Sequence, residues 1–492
     1  MKKVYYETCP NSYLALPILY FASLMGLPVK YNLSRGFMYA GVSVIRRIVH
    51  VLLGPYRALW YPIQIRNKLS DHQVSEINLI YEDALLLINN KQELYDYSID
   101  GVIIGDLIYD TYLRVYRKST VDLDDNNFKL ILKNSINLFV YWRDIARKND
   151  SEAVIVTHAC YTNAIPARAF IFNDKKAFQV NHAGVYRLSK SMRWAYNESF
   201  YFKELAKKIS SKKLAEYKSI SKERLALRFA GNVGVDMAYS TASAYTDFSD
   251  TSPRLIARSS NLKILVAAHC LFDAPNGYGD NLFLDFYEWL RFLAEMSNTS
   301  QHDWYIKTHP DFLPGNDEEI ANIISDSSIV FLPSTTSHHK IISEGIDAVC
   351  TVYGTIGFEY AALGKTVINA SIYNPHIAYD FNIHPKSIEE YTNTLVNLKD
   401  FLFEPKIDEV YEYYALKLLS DSDDWFFMDW TAESKNYSGL VPTKLTDEIH
   451  AFYFLFRKLR SHFKHWIKMK SHLLEFIDSS DYKYYPKNKI EL

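Results

Sequence analysis

Lys307, Thr308, His309 and Pro310 stand in a row in the stretch WYIKTHPDF, directly after residues that read as a buried strand. An amine, a hydroxyl and an imidazole on consecutive positions meet no packing need at a strand end. They match what an anionic, hydroxyl-rich ligand requires: Lys307 as a point charge for a phosphate, His309 as a donor to a phosphate or substrate oxygen. Pro310 fixes the direction of the loop that follows. In TVYGTIGFEYAALGKTVINAS (351–371), a strand ends at Gly354 and Thr355 occupies an N-cap position. The helix end behind it is an expected anion site, and Glu359, one turn inside, can accept hydrogen bonds from ribose or sugar hydroxyls. In AHCLFDAPNGYGDNLFLDFYEWL, His269 closes a strand and Asp273 falls in a Pro/Gly loop whose backbone can approach a ligand closely. Asp273 reads equally as a catalytic carboxylate, a hydroxyl ligand or an Asx-turn residue. His376 and Asp380 belong to a polar, aromatic loop that could close over a sugar or base. With His384 they match no familiar metal-ligand spacing, so no metal site is expected.

Further upstream, Asp106 and Asp110 share one helix face by their i, i+4 spacing. A carboxylate there can serve a transfer reaction as base or nucleophile; two solvated acids are the plain alternative. His158, Tyr161 and Arg168 in THACYTNAIPARA and His182 in NHAGVYRL are candidates for an opposite, acceptor-side wall.

The elements that must position these residues follow from periodicity. NLKILVAAHC, DWYIKTHP, SSIVFLPS, AVCTVYG and KTVINAS read as strands, with helices between them such as NLFLDFYEWLRFLAEMS. Strands alternating with helices over short loops imply a parallel, doubly wound sheet, with ligands at the carboxyl ends of the strands. AVIVTHACY and KAFQVNHAG flank a helix in the N-terminal half and form a second such unit. The expected class is α/β: an N-terminal Rossmann-like domain over 1–250, a second over 255–400 facing it across a cleft, and a C-terminal helical segment over 401–492.

Composition narrows the function. With 492 residues and a net charge of −2, the chain is too long for one core and has no global field for nucleic acid. The 38 tyrosines either supply stacking faces for sugars and bases or reflect the base composition of the gene. Cys9, Cys160, Cys270 and Cys350 are far apart and read as small apolar residues in a reducing compartment. The N-terminus lacks a signal-peptide core, and no apolar run is long enough to span a bilayer, so a cytoplasmic location is expected. Two acid-free segments, 36–69 and 449–474, mix aromatic residues with Arg and Lys. They read either as helices packed on the domains or as peripheral contacts with the inner membrane.

The order THACY…IPARA, HCLFDAPNGYG…FYEWL, WYIKTHP, TVYGTIGFEYAALGKTVINA resembles bacterial capsule and surface-polysaccharide biosynthesis proteins. More distantly it is similar to the capsule β-Kdo transferases and related GT-B enzymes that use CMP-activated acidic sugars. The resemblance spans about residues 100–400. It implies a GT-B glycosyltransferase that needs no bound metal or cofactor and takes a nucleotide sugar as substrate. Its acceptor would be an oligosaccharide or a lipid-linked chain of a capsule or O-antigen. By the same resemblance Lys307, His309 and Pro310 meet the donor phosphate, and Thr355 and Glu359 the nucleotide. The chain departs from the pattern at VYGTIG, where a Ser-rich turn is usual, and carries no Asp-Glu-Gly base motif. A nucleotide-sugar epimerase, a polyol-phosphate transferase and a non-catalytic assembly factor are the rival readings.

Overall fold

The computed structural model describes residues 2–7, 18, 21–31, 69–181, 184–235, 243–245, 253–309, 313–420 and 463–486. By contact the chain divides into two compact units. The described parts of 1–116, 121–195 and 421–487 form the first; 117–120 and 196–420 form the second. The first boundary thus falls at residue 195 rather than near 250. The cause is the Ser211–Phe229 helix, which lies along the Ile407–Ser420 helix, with Ser221 Oγ donating to the Tyr411 carbonyl at 3.1 Å. The stretch 401–492 is likewise shared: 401–420 belongs to the second unit and the Phe463–Asp478 helix to the first.

In the first unit, β1 (Lys3–Glu7), β2 (Leu27–Tyr31), a short hairpin of β3 (Ser98–Ile99) and β4 (Val102–Ile103), β5 (Ser151–Val156), β6 (Lys176–Asn181) and β7 (Gly184–Leu188) follow in chain order. The main sheet runs β2-β1-β5-β6-β7, parallel except for β7. Successive strand residues point to opposite faces. Val4, Tyr6 and Ile155 therefore meet one layer, which contains Leu473, Phe476 and Ile477 of the 463–478 helix. Tyr5 goes the other way, to Trp142 and Phe170, each with ring centroids 6.1 Å away. Arg187 closes the C-terminal helix by donating to the carbonyls of Phe476 and Ile477 at 2.5 and 3.0 Å, a cation at the negative helix end. The following residues cover the β7 edge: Arg187 N donates to Tyr482 O and Tyr484 N to Val185 O. The described end of the basic C-terminal segment, from Met469, is thus packed; 36–68 and 449–462 lie outside the described residues.

The second unit contains β8 (Lys263–Ala267), β9 (Asp303–Lys307), β10 (Ile329–Leu332), β11 (Ala348–Thr351) and β12 (Thr366–Asn369), all parallel in the order β10-β9-β8-β11-β12. The chain steps outward from β8 to β10 and returns to β11, so the topological switch lies between β8 and β11. Ile264, Val266, Trp304 and Ile306 build one layer with Trp289 and Leu293 of the Phe286–Thr299 helix. Leu265, Tyr305, Val349 and Val367 build the other with Ile341 and Tyr360. Each unit is a Rossmann-like α/β sheet, as the alternating pattern implied. Among the described residues no helix is long and apolar enough to cross a membrane.

Candidate functional site

Strand alternation places the side chain of Lys307, two residues after Tyr305, on the face covered by the His338–Ser343 and Ile356–Ala362 helices. Lys307 is 2% exposed. Its Nζ donates to the Thr308 carbonyl at 3.2 Å and forms no ion pair within 4 Å among the described residues. Burial pushes its pKa down to about 8, against the pull of the Asp317 and Glu359 carboxylates. Beside it, the buried Thr308 hydroxyl has no hydrogen-bond partner in the described residues. His309 is exposed at the same strand end.

Around this amine lies a cluster drawn from four parts of the unit. His338 Nδ1 is 2.7 Å from the Tyr360 hydroxyl. Burial, with the charges of Lys307 and His309 behind it, keeps that ring neutral well below its ordinary range. His339 Nε2 donates to the Phe229 carbonyl at 2.6 Å, which requires the proton on that nitrogen. Glu359 is 3% exposed. Its Oε1 accepts from Arg228 Nη2 and its Oε2 from the Tyr245 hydroxyl, both at 2.7 Å. Burial, with the Glu359 carboxylate beside it, raises the Tyr245 pKa well above its usual value.

Thr355 does not act as the expected cap. Its backbone is already helical (φ −58°, ψ −23°) and its side chain makes no capping bond; Arg228 Nη2 lies 3.5 Å from its hydroxyl instead. The first turn closes tightly, with Gly357 N donating to Gly354 O at 2.9 Å and Phe358 N to Thr355 O at 3.2 Å. Fewer free N–H groups therefore face outward than the sequence implied. The glycine that packing requires here is Gly357, where a Cβ would stand 2.4 Å from His376 Cε1.

At the switch point, His269 fills the crevice. Its Nε2 accepts from Val352 N and lies near Thr351 Oγ1, each at 3.1 Å. The ring stacks on Phe286 with centroids 4.6 Å apart and planes 7° off parallel. Burial lowers its pKa to about 4, so the ring stays neutral with its proton on Nδ1. His269 is thus a strand-to-strand brace, and Gly354 lies against it, its N–H directed to Thr351 Oγ1 at 3.3 Å. Asp273, on the loop beyond, is exposed.

His376 and Asp380 separate. The His376 ring is sealed in an aromatic wall with Phe381 and Tyr413, while Asp380 is exposed, 3.9 Å from Lys406. Asn374 Nδ2 donates to His384 Nδ1 and His384 Nε2 to the Tyr379 carbonyl, so His384 is a neutral loop brace whose burial lowers its pKa to about 4. No cluster of metal-ligating side chains occurs among the described residues.

In the first unit, Asp106 and Asp110 are both buried on the Gly105–Tyr116 helix. Asp106 forms a two-pronged pair with Arg168, with Nη2 to Oδ2 at 2.5 Å, and Arg168 Nη1 also donates to the Ile103 carbonyl at 2.8 Å. A carboxylate expected to act as base is here the counter-ion of a guanidinium. His158 is half-buried with its ring 5.9 Å from that of Tyr161, whose backbone takes the left-handed φ of 55°. His182 and Pro310 lie outside the described residues.

Sequence reasoning missed Arg228, Tyr245, His338 and Tyr360. The pair His338-His339 was the one local signal. Arg228 lies in the last turn of the Ser211–Phe229 helix, and nothing nearby in sequence marks its partner.

No protein-family model and no curated protein sequence matches the chain. Among solved structures it is similar to KpsC of Thermosulfurimonas dismutans described as a beta Kdo 2,4 transferase, with 12% identity, 54% of this chain and 80% of that one covered, and a TM-score of 0.30. A KpsC beta Kdo 2,7 transferase of that organism gives 15% identity, 56% and 89% coverage, and a TM-score of 0.29. The UDP-GlcNAc 2-epimerase from Neisseria meningitidis bound to UDP-GlcNAc gives 12%, 85%, 100% and 0.24.

Proposed function

We propose that this chain is a glycosyltransferase of bacterial surface-polysaccharide assembly that takes a nucleotide-activated sugar at the carboxyl edge of the β8–β12 sheet. The observation that carries this reading is Lys307, a buried ammonium with one backbone carbonyl as its partner. An ammonium removed from water without a counter-ion is costly, and an arriving phosphate supplies the missing charge. Thr308 Oγ1 and the His309 ring stand at the same strand end to donate to that phosphate. Glu359 accepts from the ribose hydroxyls through its remaining lone pairs.

In the transfer step an acceptor hydroxyl attacks the anomeric carbon and a C–O bond forms there. The anomeric C–O bond to the nucleotide phosphate breaks, and the phosphate leaves with the electron pair. Lys307 and His309 hold the charge that develops on it. A carboxylate takes the acceptor proton; Asp273, exposed on the loop after β8, is the candidate nearest in sequence to that strand end. The acceptor, an oligosaccharide or lipid-linked chain, is assigned to the first unit, with contact at the cytoplasmic face of the inner membrane. The motif resemblance supports a CMP-linked acidic sugar, such as Kdo or a nonulosonic acid, as donor, and transfer that survives EDTA.

A thermal-shift series with CMP, CDP and UDP, followed by mass analysis of products from the matching donors, tests this. Stabilisation by CMP together with sugar addition to an oligosaccharide is the expected result. Interconversion of UDP-GlcNAc and its 2-epimer without an acceptor would replace the transferase reading with an epimerase, and no shift with any nucleotide would remove both.

A further inference from the structure

Glu359 is a carboxylate held from outside its own helix. Both donors come from segments upstream of the β8–β12 sheet: Arg228 from the last turn of the 211–229 helix, and Tyr245 from a short stretch beyond it. They take different oxygens, one each, so the plane of the carboxylate is fixed by two points rather than one. Arg228 also reaches the Thr355 hydroxyl at 3.5 Å, one helical turn before Glu359, and so ties together both polar side chains of that first turn. The Tyr245 ring is itself wedged, with centroids 5.1 Å from Phe229, 5.2 Å from His338 and 5.3 Å from His339. That packing leaves the hydroxyl few alternatives to Glu359.

A surface acid needs no such frame. A buried one needs donors, but one cation would satisfy the charge. Two donors on separate oxygens, one of them a wedged phenol, define a direction as well as a charge. The unshared lone pairs of Oε1 and Oε2 are left to accept from a ligand carrying two neighbouring hydroxyls. We infer that Arg228 and Tyr245 are positioning residues for Glu359, and that through it they make the site selective for ribonucleotides over 2′-deoxyribonucleotides. The inference rests on the reading of Glu359 as the ribose-binding group given above.

The test uses the full chain and measures binding of CMP, UDP and their 2′-deoxy counterparts by calorimetry. The wild type is expected to prefer the ribonucleotide by at least about tenfold, the order of one hydrogen bond to a charged group. Tyr245→Phe and Arg228→Ala should each bring that ratio to within about threefold of unity while the affinity for the deoxynucleotide holds, and Arg228→Lys should restore part of it. A structural role would weaken both nucleotides alike. Because Arg228→Ala leaves a buried carboxylate short of its cation, circular dichroism accompanies each variant, and Tyr245→Phe with Arg228→Lys carries the test if the alanine variant unfolds. An unchanged ratio in folded Tyr245→Phe and Arg228→Lys overturns the positioning role while leaving nucleotide binding intact. A wild type that binds nucleotides without ribose preference overturns it too. A wild type that binds no nucleotide removes the functional reading beneath it.

Discussion

Arg168 in the first unit and Lys307 in the second are both cations withdrawn from water, at 0% and 2% exposure. Arg168 has its counter-ion: Asp106 meets the guanidinium through both oxygens, and the Ile103 carbonyl takes a further N–H. Lys307 has a single carbonyl, and its neighbouring carboxylates act on it only through space. The first arrangement is matched in charge, though the Arg168 Nε–H has no partner among the described residues, and it ties the Gly105–Tyr116 helix to the Ile165–Phe172 helix. The second has no counter-ion within 4 Å among the described residues. A buried charge that is matched within the protein serves architecture, and the unmatched one at Lys307 is the group on which the proposed phosphate site rests.

Breaking the matched pair gives the largest effect. Asp106→Ala leaves Arg168 buried without its counter-ion and should cost about 3–5 kcal/mol in urea unfolding, while the apolar double variant Asp106→Leu/Arg168→Met recovers most of it. A cost under about 1 kcal/mol for the single variant would dissolve the contrast.

Lys307→Met should act in the opposite direction. The amine titrates at about 8 rather than 10.5. Below pH 8 the folded chain carries the full cost of a buried ammonium, about 3 kcal/mol, so the ligand-free variant should be more stable than wild type by that order. Between pH 8 and 10.5 the unfolded chain keeps a proton that the folded chain has lost, so wild-type stability climbs and the difference closes. Nucleotide-induced stabilisation should vanish in the variant. A ligand-free chain destabilised by Lys307→Met would place Lys307 in the same class as Arg168.

Acid should probe the second unit through His269 and His384, both lowered to about 4 by burial from an ordinary 6.5. As pH falls from 6.5 to 4 the unfolded chain binds protons that the folded unit refuses, so stability drops by about 2.5 kcal/mol for each ring. The urea midpoint of wild type should fall across that window, and His384→Gln should flatten the fall. An equally steep fall in the variant would show that this ring is not the proton acceptor.

The smallest effect separates a true cap from an apparent one. Asp285 accepts from Glu288 N at 2.8 Å and caps its helix, and its second oxygen accepts from Thr120 Oγ1 at 2.6 Å, so Asp285→Ala should cost at least about 1 kcal/mol. Thr355 makes no capping bond, and Thr355→Ala should stay within about 0.5 kcal/mol in thermal unfolding.

Much of this second unit was legible in the sequence. Alternating apolar strands and helices announced the parallel sheet, and WYIKTHPDF announced a strand that ends in an amine, a hydroxyl and an imidazole. Thr355 looked like a cap because residue type and position both fit, yet its backbone had already entered the helix. His269 and His376 looked like ligand groups because imidazoles at strand and loop ends often are. Ring stacking and close backbone packing, which carry no local signature, turned both into braces. Asp106 misled for the same reason: an acid on an amphipathic face reads alike whether it meets water or a guanidinium.

The chain alone determined strand period, helix faces and the polarity of each strand end, because those depend on neighbours within a few residues. It determined that Lys307 points to the face of Tyr305. Whether a charge would find a partner was decided only by the tertiary fold: Asp106 meets Arg168 across 62 residues and Arg228 meets Glu359 across 131. Pairing at that range depends on how the layers stack, and it separates the lysine that has one carbonyl as its partner from the arginine that meets a carboxylate.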